Sequence, residues 1–462
     1  MKTGKLLSAV LAAIMSVSTM GLLTGCGGSD SGSSAAPSGN GGAESKAGSS
    51  EAAEPSGEKV TLEVLTNRTD RVQDGSLDKL TDPFEEANNC EIKYVAYEDY
   101  AGSVSTRMGT DDYGDVLCIP DDVALADLKN FFEPFGTYDD ISAKYRWADA
   151  KMDADKNVYG ISTGGNAVGI LYNKKVWSDA GITAMPKTPD EFITDLKQIK
   201  EKTEAIPLYT EYAAADWTLN QWGNLVNSAS GNPNYENDIL EKKLDLFAKD
   251  GGYYQTYKLM FDIFSTPGIL EEDHANTDWE SSKVWFGEGK IATLVMGSWA
   301  ISQFQENAGD NVADIGYMPA PFTAADGKQY AETSSDFCMG VSKHSKNVDL
   351  AKKFVEWFAS ESGFAQKEGM IGSALNSQMP DNLSAFQDTV TFSKTSAPDN
   401  LIGKWDEIDK ESGVGIWDGS NDNFKLKMAE AAFAGKGESE FEAIIKEANE
   451  KWAAARDKIL GK

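Results

Sequence analysis

The sequence predicts an α/β fold, and three observations carry that prediction. Short apolar strands alternate with helical patterns in the first part of the chain. The body, from about Glu58 to Lys462, is too long for one ordinary domain and of a sensible length for two. One helix further along is marked by a start signal and an apolar stripe at helical spacing. Before all of these come segments that are not fold. Lys2 and Lys5 form a short positive region, Leu6 to Leu23 a mostly apolar one, and small residues then precede Cys26. That order makes residues 1–25 a secretory signal peptide.

The tetrapeptide Leu23-Thr24-Gly25-Cys26 resembles the lipobox of bacterial lipoproteins. The resemblance implies cleavage before Cys26 and a diacylglyceryl thioether on its sulfur. Two acyl chains, each burying CH₂ groups at roughly 0.8 kcal/mol apiece, hold a protein on a membrane. The alternative is an ordinary signal peptide whose cut falls near a cysteine. Residues 26–57 are then a lipidated cysteine and a linker almost entirely of Gly, Ser, Ala, Pro, Asn and Glu, too poor in apolar side chains to offset the entropy of ordering. Such a leash suits a cell surface with a wall to reach through, as in Gram-positive bacteria.

The body begins at Glu58. Val60 to Leu65 alternates apolar and polar residues and reads as a strand, and polar Thr66 to Asp74 as a loop. Leu77 to Asn88 is a helix, Glu91 to Tyr97 a strand, Asp99 to Met108 a helix. Asp115 to Ile119 is a third strand, ended by Pro120-Asp121-Asp122. The alternation suggests βαβ units around a mainly parallel sheet, and ligands of such sheets bind beyond the carboxyl ends of the strands. Asn67, Arg68, Asp70, Glu98, Asp121 and Asp122 fall on that rim. Acids in these positions also serve as helix caps, and Arg68 could pair with its acidic neighbours instead of a ligand.

The net charge of -30 argues against a nucleic-acid partner, which needs a basic footprint, and against an anionic lipid surface. After Cys26, three cysteines remain. Cys118 sits in the apolar run Val116-Leu117-Cys118-Ile119 and reads as a buried thiol, although a Cys90–Cys118 bridge is open to an exported protein. Only His274 and His344 are present, without a partner at metal-ligand spacing. Asp153-Ala154-Asp155-Lys156-Asn157 begins like a calcium loop, but Val158 stands where glycine is required, so it reads as a turn. Asp418 to Asp422 is a weaker calcium candidate. No phosphate-binding loop occurs, and no cofactor is expected.

The middle of the chain carries a family resemblance. Tyr159-Gly160-Ile161 leads to Gly164-Gly165-Asn166, then to Ile170-Leu171-Tyr172-Asn173-Lys174, Ala180-Gly181-Ile182 and Pro186-Lys187-Thr188-Pro189-Asp190-Glu191-Phe192. This block is similar to a signature of extracellular solute-binding proteins that serve carbohydrate ABC importers. Its last part makes physical sense by itself. Thr188 is a good N-cap, Pro189 suits the first helical position, Glu191 completes a capping box, and Phe192, Leu196 and Ile199 supply the apolar stripe. Phe286-Gly287-Glu288-Gly289-Lys290 with Met296-Gly297-Ser298-Trp299, and Gly340-Val341-Ser342-Lys343 with Ala351-Lys352-Lys353-Phe354, resemble two further blocks of that family.

The resemblance implies a two-lobed, periplasmic-binding-protein-like fold of the type II, maltose-binding kind, with a hinge and an interlobe cleft. It divides the body into an N-terminal lobe of residues 58–165 plus 328–368 and a C-terminal lobe of 166–327 plus 369–462. Crossings are expected near Gly164-Gly165-Asn166, after Pro319-Ala320-Pro321, and near Gly369 to Gly372. A sugar offers a C–H face for an aromatic ring and hydroxyls for carboxylates or arginine. By the same resemblance Trp299 falls on a ligand-stacking position and Glu211 near a hydroxyl-binding carboxylate, while Asn166 replaces a crossover acid. The candidate ligand-binding set is Arg68, Asp70, Glu98, Asp121, Asp122, Asn166, Glu211, Asp216, Trp217, Trp299, Asp336 and Trp417. Trp285, Trp357 and Trp452 lie on helical apolar stripes and read as core.

The function so implied is a lipid-anchored binding component on the extracellular face of the cell membrane. It is expected to be a monomer that takes a mono- or oligosaccharide and delivers it to ABC permease subunits, without catalysis of its own. Two other readings stay open. A secreted carbohydrate hydrolase would also need two carboxylates about a sugar, and a relative of the same fold would bind a peptide or polyamine.

Overall fold

Alternating apolar residues build the first sheet. In the strand Val60–Thr66, Leu62, Val64 and Leu65 are buried. It pairs in parallel with Cys90–Ala96 on one side and Val116–Cys118 on the other. The structure, a computed structural model, describes residues 59–120, 122–386, 388–417 and 423–461. The segments expected to be a signal peptide and a linker, with Cys26 between them, lie outside these residues, as do Asp121, Asp418 to Asp422 and the side chain of Asp216. Helices Ser76–Asn88 and Tyr100–Met108 connect the three parallel strands, the second capped by Asp99, whose carboxylate accepts from the Gly102 amide. The stretch expected as a loop after the first strand contains a short helix, Thr69–Gln73. None of its side chains is buried, so it has no apolar stripe by which a sequence reader would find it.

The long strand Tyr330–Ser342 continues the sheet, antiparallel to Val116–Cys118 and to Gly160–Ala167. Ile371–Gly372 then pairs with Gly164 and Gly165. A second sheet is antiparallel, with Ile170–Asn173 between Ile315–Met318 and Thr293–Val295. Each sheet has its own hydrophobic packing. Leu62, Val64, Phe84, Ile92, Val116 and Phe354 share one cluster, and Leu171, Phe286, Leu294, Phe304, Ile315 and Tyr317 another. A third and larger cluster contains Phe192, Leu196, Tyr257, Met260, Phe261 and Trp452. The body is therefore two α/β lobes joined by shared strands.

One of the joining strands, Gly160–Ala167, is rich in glycine. Gly165 is the clearest case: a Cβ there would stand 2.3 Å from the Trp147 ring and 2.4 Å from the Ser334 carbonyl. Glycine is the residue that fits such an approach.

The signposted helix spans Pro189–Lys202 and buries Phe192, Leu196 and Ile199. Thr188 accepts from the Glu191 amide at 3.2 Å. The Glu191 carboxylate accepts from Lys187, one residue before the cap, at 2.7 Å. The capping box thus closes one residue wide of its usual form. Asp153 makes the expected turn by accepting from the amides of Asp155 and Asn157. Cys90, Cys118 and Cys338 are thiols and not disulfides, and Cys118 is half-buried rather than buried. Trp452 is fully buried and Trp357 packs partly buried, but Trp285 is 37% exposed. Helix periodicity places Trp285 on a stripe without revealing that only Tyr209's ring, edge to face at 6.3 Å, packs on it and that solvent reaches the rest.

Candidate functional site

The carboxyl ends of the first and third strands, the start of the helix Tyr100–Met108 and the hinge strands surround a cavity of about 610 Å³ lined by Asn67, Tyr100, Asp122, Lys151, Asp336 and Phe337, among others. Tyr100 ties two strand ends together, donating to the carbonyls of Leu65 at 3.2 Å and Cys118 at 2.7 Å. Burial raises its phenol well above the usual range, so it acts as a neutral donor. Asp336 accepts from Asn166 at 2.7 Å and from the Phe337 amide at 2.8 Å. Phe337 itself has a φ of 46°, a conformation that turns the chain sharply at the cavity wall. Ser298 donates to Asn166 at 3.3 Å and accepts from the Ala167 amide at 3.0 Å. Asn166 therefore links Asp336, across the hinge, to the residue just before Trp299.

A second cavity of about 390 Å³ adjoins the first, the two sharing Ala150 and Ser335. Its walls include Trp147, Trp405 and Trp417 together with Asp149, Glu236, Glu332, Lys394 and Asp406. Lys394 pairs with Glu236 at 2.7 Å, and Glu332 accepts from Asn227 at 2.8 Å. Burial pushes the Glu332 carboxyl up to about 7, against the pull of Lys394 and Asn227. Burial alone would lower the Lys394 ammonium, but the charges of Glu236 and Glu332 outweigh it and raise it. The segment just after Lys394 is held by two side chains. Ser396 hydrogen-bonds Asp149, and Asn237 donates to the carbonyls of Thr395 and Ser396.

Trp299 begins the helix Ala300–Asn307 and belongs to an aromatic cluster. Its ring centroid lies 6.2 Å from Trp217 and 5.9 Å from Trp279, and Trp217 and Trp279 meet edge to face at 5.4 Å. Lys283 sits over the Trp279 ring at 5.1 Å. Glu211 is buried nearby in a left-handed conformation, with φ 54°. Its Oε1 is buried without a hydrogen-bond partner. Burial pushes this carboxyl up to about 7, with Glu271 and Asp278 adding to the rise and Ser282 and Lys283 opposing it.

The expected rim residues divide. Asp122, Asp336 and Trp417 line the two cavities, and Asn166 holds Asp336. Arg68 and Asp70 instead pair with each other through two hydrogen bonds. Arg68 also reaches Glu368 at 2.8 Å. Arg71 joins the same network, contacting Glu368 at 3.0 Å and Glu306 at 2.6 Å. Glu98 is exposed after the second strand. Trp217, Trp299 and Glu211 form the separate indole cluster described above. Asp216 lies in the short helix Ala215–Thr218. Trp147, Glu332, Lys394 and Trp405 line the second cavity but were missed by sequence reasoning. Each comes from a different segment, and only the fold brings them to one wall.

Comparison with known proteins fits this architecture. Residues 69–363, more than half of the chain, match the family model of bacterial extracellular solute-binding proteins. The diacetylchitobiose binding protein DasA of Streptomyces coelicolor is 28% identical over 251 residues, 52% of this chain and 56% of DasA. The chain thus spans little more than half the length of that curated relative. Among solved structures, a manno-oligosaccharide specific solute binding protein, BlMnBP2 of Bifidobacterium animalis subsp. lactis, in complex with mannotriose, superposes with a TM-score of 0.78. It is 33% identical, with 87% of this chain and 95% of that one covered. BlMnBP1 of the same organism, a binding protein of an ABC transporter in complex with mannobiose, is 35% identical with a TM-score of 0.77 and the same coverage. RafE of Streptococcus pneumoniae, at 19% identity and a TM-score of 0.65 over 87% of this chain and all of its own, shares the fold. The two lobes and their crossing strands are the type II periplasmic binding architecture, and the chain belongs to the bacterial extracellular solute-binding proteins.

Proposed function

We propose that this protein is the extracellular, lipid-anchored binding component of an ABC importer, holding a neutral oligosaccharide in the interlobe cleft and delivering it to membrane permeases. The observation that carries the reading is the pair of adjoining cavities at the hinge, walled by indoles and by acids. Each cavity falls within the roughly 300–1,000 Å³ of pockets that hold drug-sized ligands, so the pair suits more than one sugar ring. Trp147, Trp405 and Trp417 offer faces for C–H surfaces, and Asp122, Asp149 and Asp336 offer acceptors for hydroxyls. Six carboxylates, Asp122, Asp149, Glu236, Glu332, Asp336 and Asp406, face two lysines, Lys151 and Lys394. That balance disfavours uronates and phosphorylated sugars. The relatives solved with mannotriose and mannobiose support a short oligosaccharide.

In this reading Cys26 carries the lipid, residues 58–165 plus 328–368 and 166–327 plus 369–462 are the lobes, and closure about the hinge presents the loaded form. Trp217, Trp299 and Glu211 serve ligand at the second lobe, with Asp216 beside them. Arg68, Asp70 and Glu98 edge the first lobe's rim, and Asp121, outside the described residues, is a further candidate from the sequence. The test is calorimetric titration and thermal shift with neutral manno-, gluco- and chito-oligosaccharides, galacturonate oligomers, peptides and polyamines. One neutral sugar class binding without turnover is the expected result. Preference for the galacturonates, or for a peptide or amine, overturns the substrate, and sugar breakdown overturns the role.

A further inference from the structure

Lys425 is 1% exposed, and the fold does not by itself call for an ammonium there. Its acceptors account for it. Lys425 donates to the carbonyls of Gly415 at 2.9 Å and Ile416 at 2.6 Å, and to the Asn220 side chain at 2.6 Å. Those two carbonyls belong to the residues just before Trp417. The amides of the same stretch turn the other way. Asp409 accepts from Gly415 at 3.1 Å, from Ile416 at 2.9 and 3.0 Å, and from Trp417 at 3.4 Å. Asn220 closes the set by donating to the Trp417 carbonyl at 3.4 Å.

Three consecutive peptide units are thus gripped by opposite charges. The anion comes from the helix Lys404–Ser412 and the cation from the first turn of Phe424–Phe433. Ile416 beside them is fully buried. The Trp417 indole at the end of this stretch is 41% exposed and forms part of the second cavity wall. Hydrogen bonds to ionised groups are roughly twice as strong as neutral ones. Spending two such groups on one short loop makes sense if the loop's conformation matters. Fixing a binding group before ligand arrives removes part of the ordering cost of binding.

We infer that Asp409 and Lys425 are positioning residues: a paired charge clamp on Gly415–Trp417 that holds the Trp417 indole as a preformed platform for ligand in the second cavity. The inference rests on the binding reading above.

The test uses the full chain and two measurements. Hydrogen exchange on the unliganded wild type reads the clamp directly. The amides of Gly415, Ile416 and Trp417 are expected to be protected, and in Asp409→Asn to lose protection by about tenfold or more while the rest of the helix Lys404–Ser412 keeps its own. Rapid exchange in the wild type, or unchanged protection in Asp409→Asn, overturns the clamp whatever the ligand. The second measurement is a double-mutant cycle on affinity for the best binder among mannotriose, cellotriose and chitotriose. Asp409→Asn, with Lys425→Met as the second variant, is expected to weaken binding about tenfold when Trp417 is present and less than about twofold in a Trp417→Ala background. Equal losses in both backgrounds mean that the two charges act through the fold generally, and the inference falls. If Trp417→Ala binds as the wild type does, the platform fails while the importer reading stands. A wild type that binds none of the three sugars sinks the oligosaccharide reading and the clamp's purpose with it.

Discussion

The indole of Trp299 rests on two other indoles, Trp217 and Trp279, within about 6 Å of each, whereas that of Trp417 stands 41% exposed on a loop gripped by Asp409 and Lys425. One tryptophan is positioned through its ring and the other through its backbone. The difference teaches where each can be damaged. Ring packing is a property of the side chain, so altering the tryptophan harms both position and stability. A backbone clamp separates the two, since the indole can be removed while the loop stays in place.

The largest expected effect breaks the second region at its root. Lys425→Met strips buried carbonyls of a charged donor and leaves Asp409 without its counter-charge, and should lower unfolding free energy in urea by about 3–4 kcal/mol. Trp417→Ala should cost less than about 1 kcal/mol in the same assay, since the ring is not core. Comparable losses from the two would erase the contrast. In the first region, Trp299→Ala should cost about 2–3 kcal/mol, the lower end for a large aromatic because the ring is only partly buried.

A smaller effect reports on the acid behind that cluster. The Glu211 carboxyl, ordinarily near 4.5, stands at about 7 in the folded protein because it is buried. The folded state therefore holds the proton more tightly. The stability linked to this group is complete below the ordinary value and is lost as pH rises through about 7. Glu211→Gln should match the wild type near pH 4.5 and exceed it by about 1–2 kcal/mol at pH 8, as denaturation across that range will reveal. Glu332, also raised to about 7, carries a slope of its own that this variant leaves untouched. A pH profile unchanged by the substitution would show that Glu211 is ionised in the fold.

The smallest effect concerns the Arg71–Glu306 pair. Glu306 is 53% exposed, and water screens such a contact. Glu306→Gln should shift the unfolding midpoint by under about 1 kcal/mol, measured by the same denaturation. A larger loss would make this pair a structural strut.

What was legible in the sequence follows from the range of the forces involved. The strands at Val60–Thr66 and Cys90–Ala96 and the helix Pro189–Lys202 are written in local periodicity and capping, and the structure returns them within a residue or two. The turn at Asp153 was equally local. The helix Thr69–Gln73 was hidden because it buries nothing. Asp122, Asp336 and Trp417 could be named because each follows or interrupts a recognisable element. Glu332 and Lys394 could not, since their pairing with Asn227 and Glu236 joins segments more than a hundred residues apart. Arg68 illustrates the reverse case. Its neighbours Asp70 and Glu368 engage it, and proximity in sequence alone does not decide between a partner and a ligand.

The strand Tyr330–Ser342 bonds to Val390–Phe392 at its start and to Val116–Cys118 near its end, so one strand carries both pairings. Just ahead of it, residues 324–328 form an exposed turn in which Gly327 adopts φ 81°. Exposed turn tips accept inserted domains. In the proposed closure of the lobes, a fluorescent reporter spliced between Asp326 and Gly327 would be coupled to a strand that joins them, turning the protein into an optical gauge of its own occupancy.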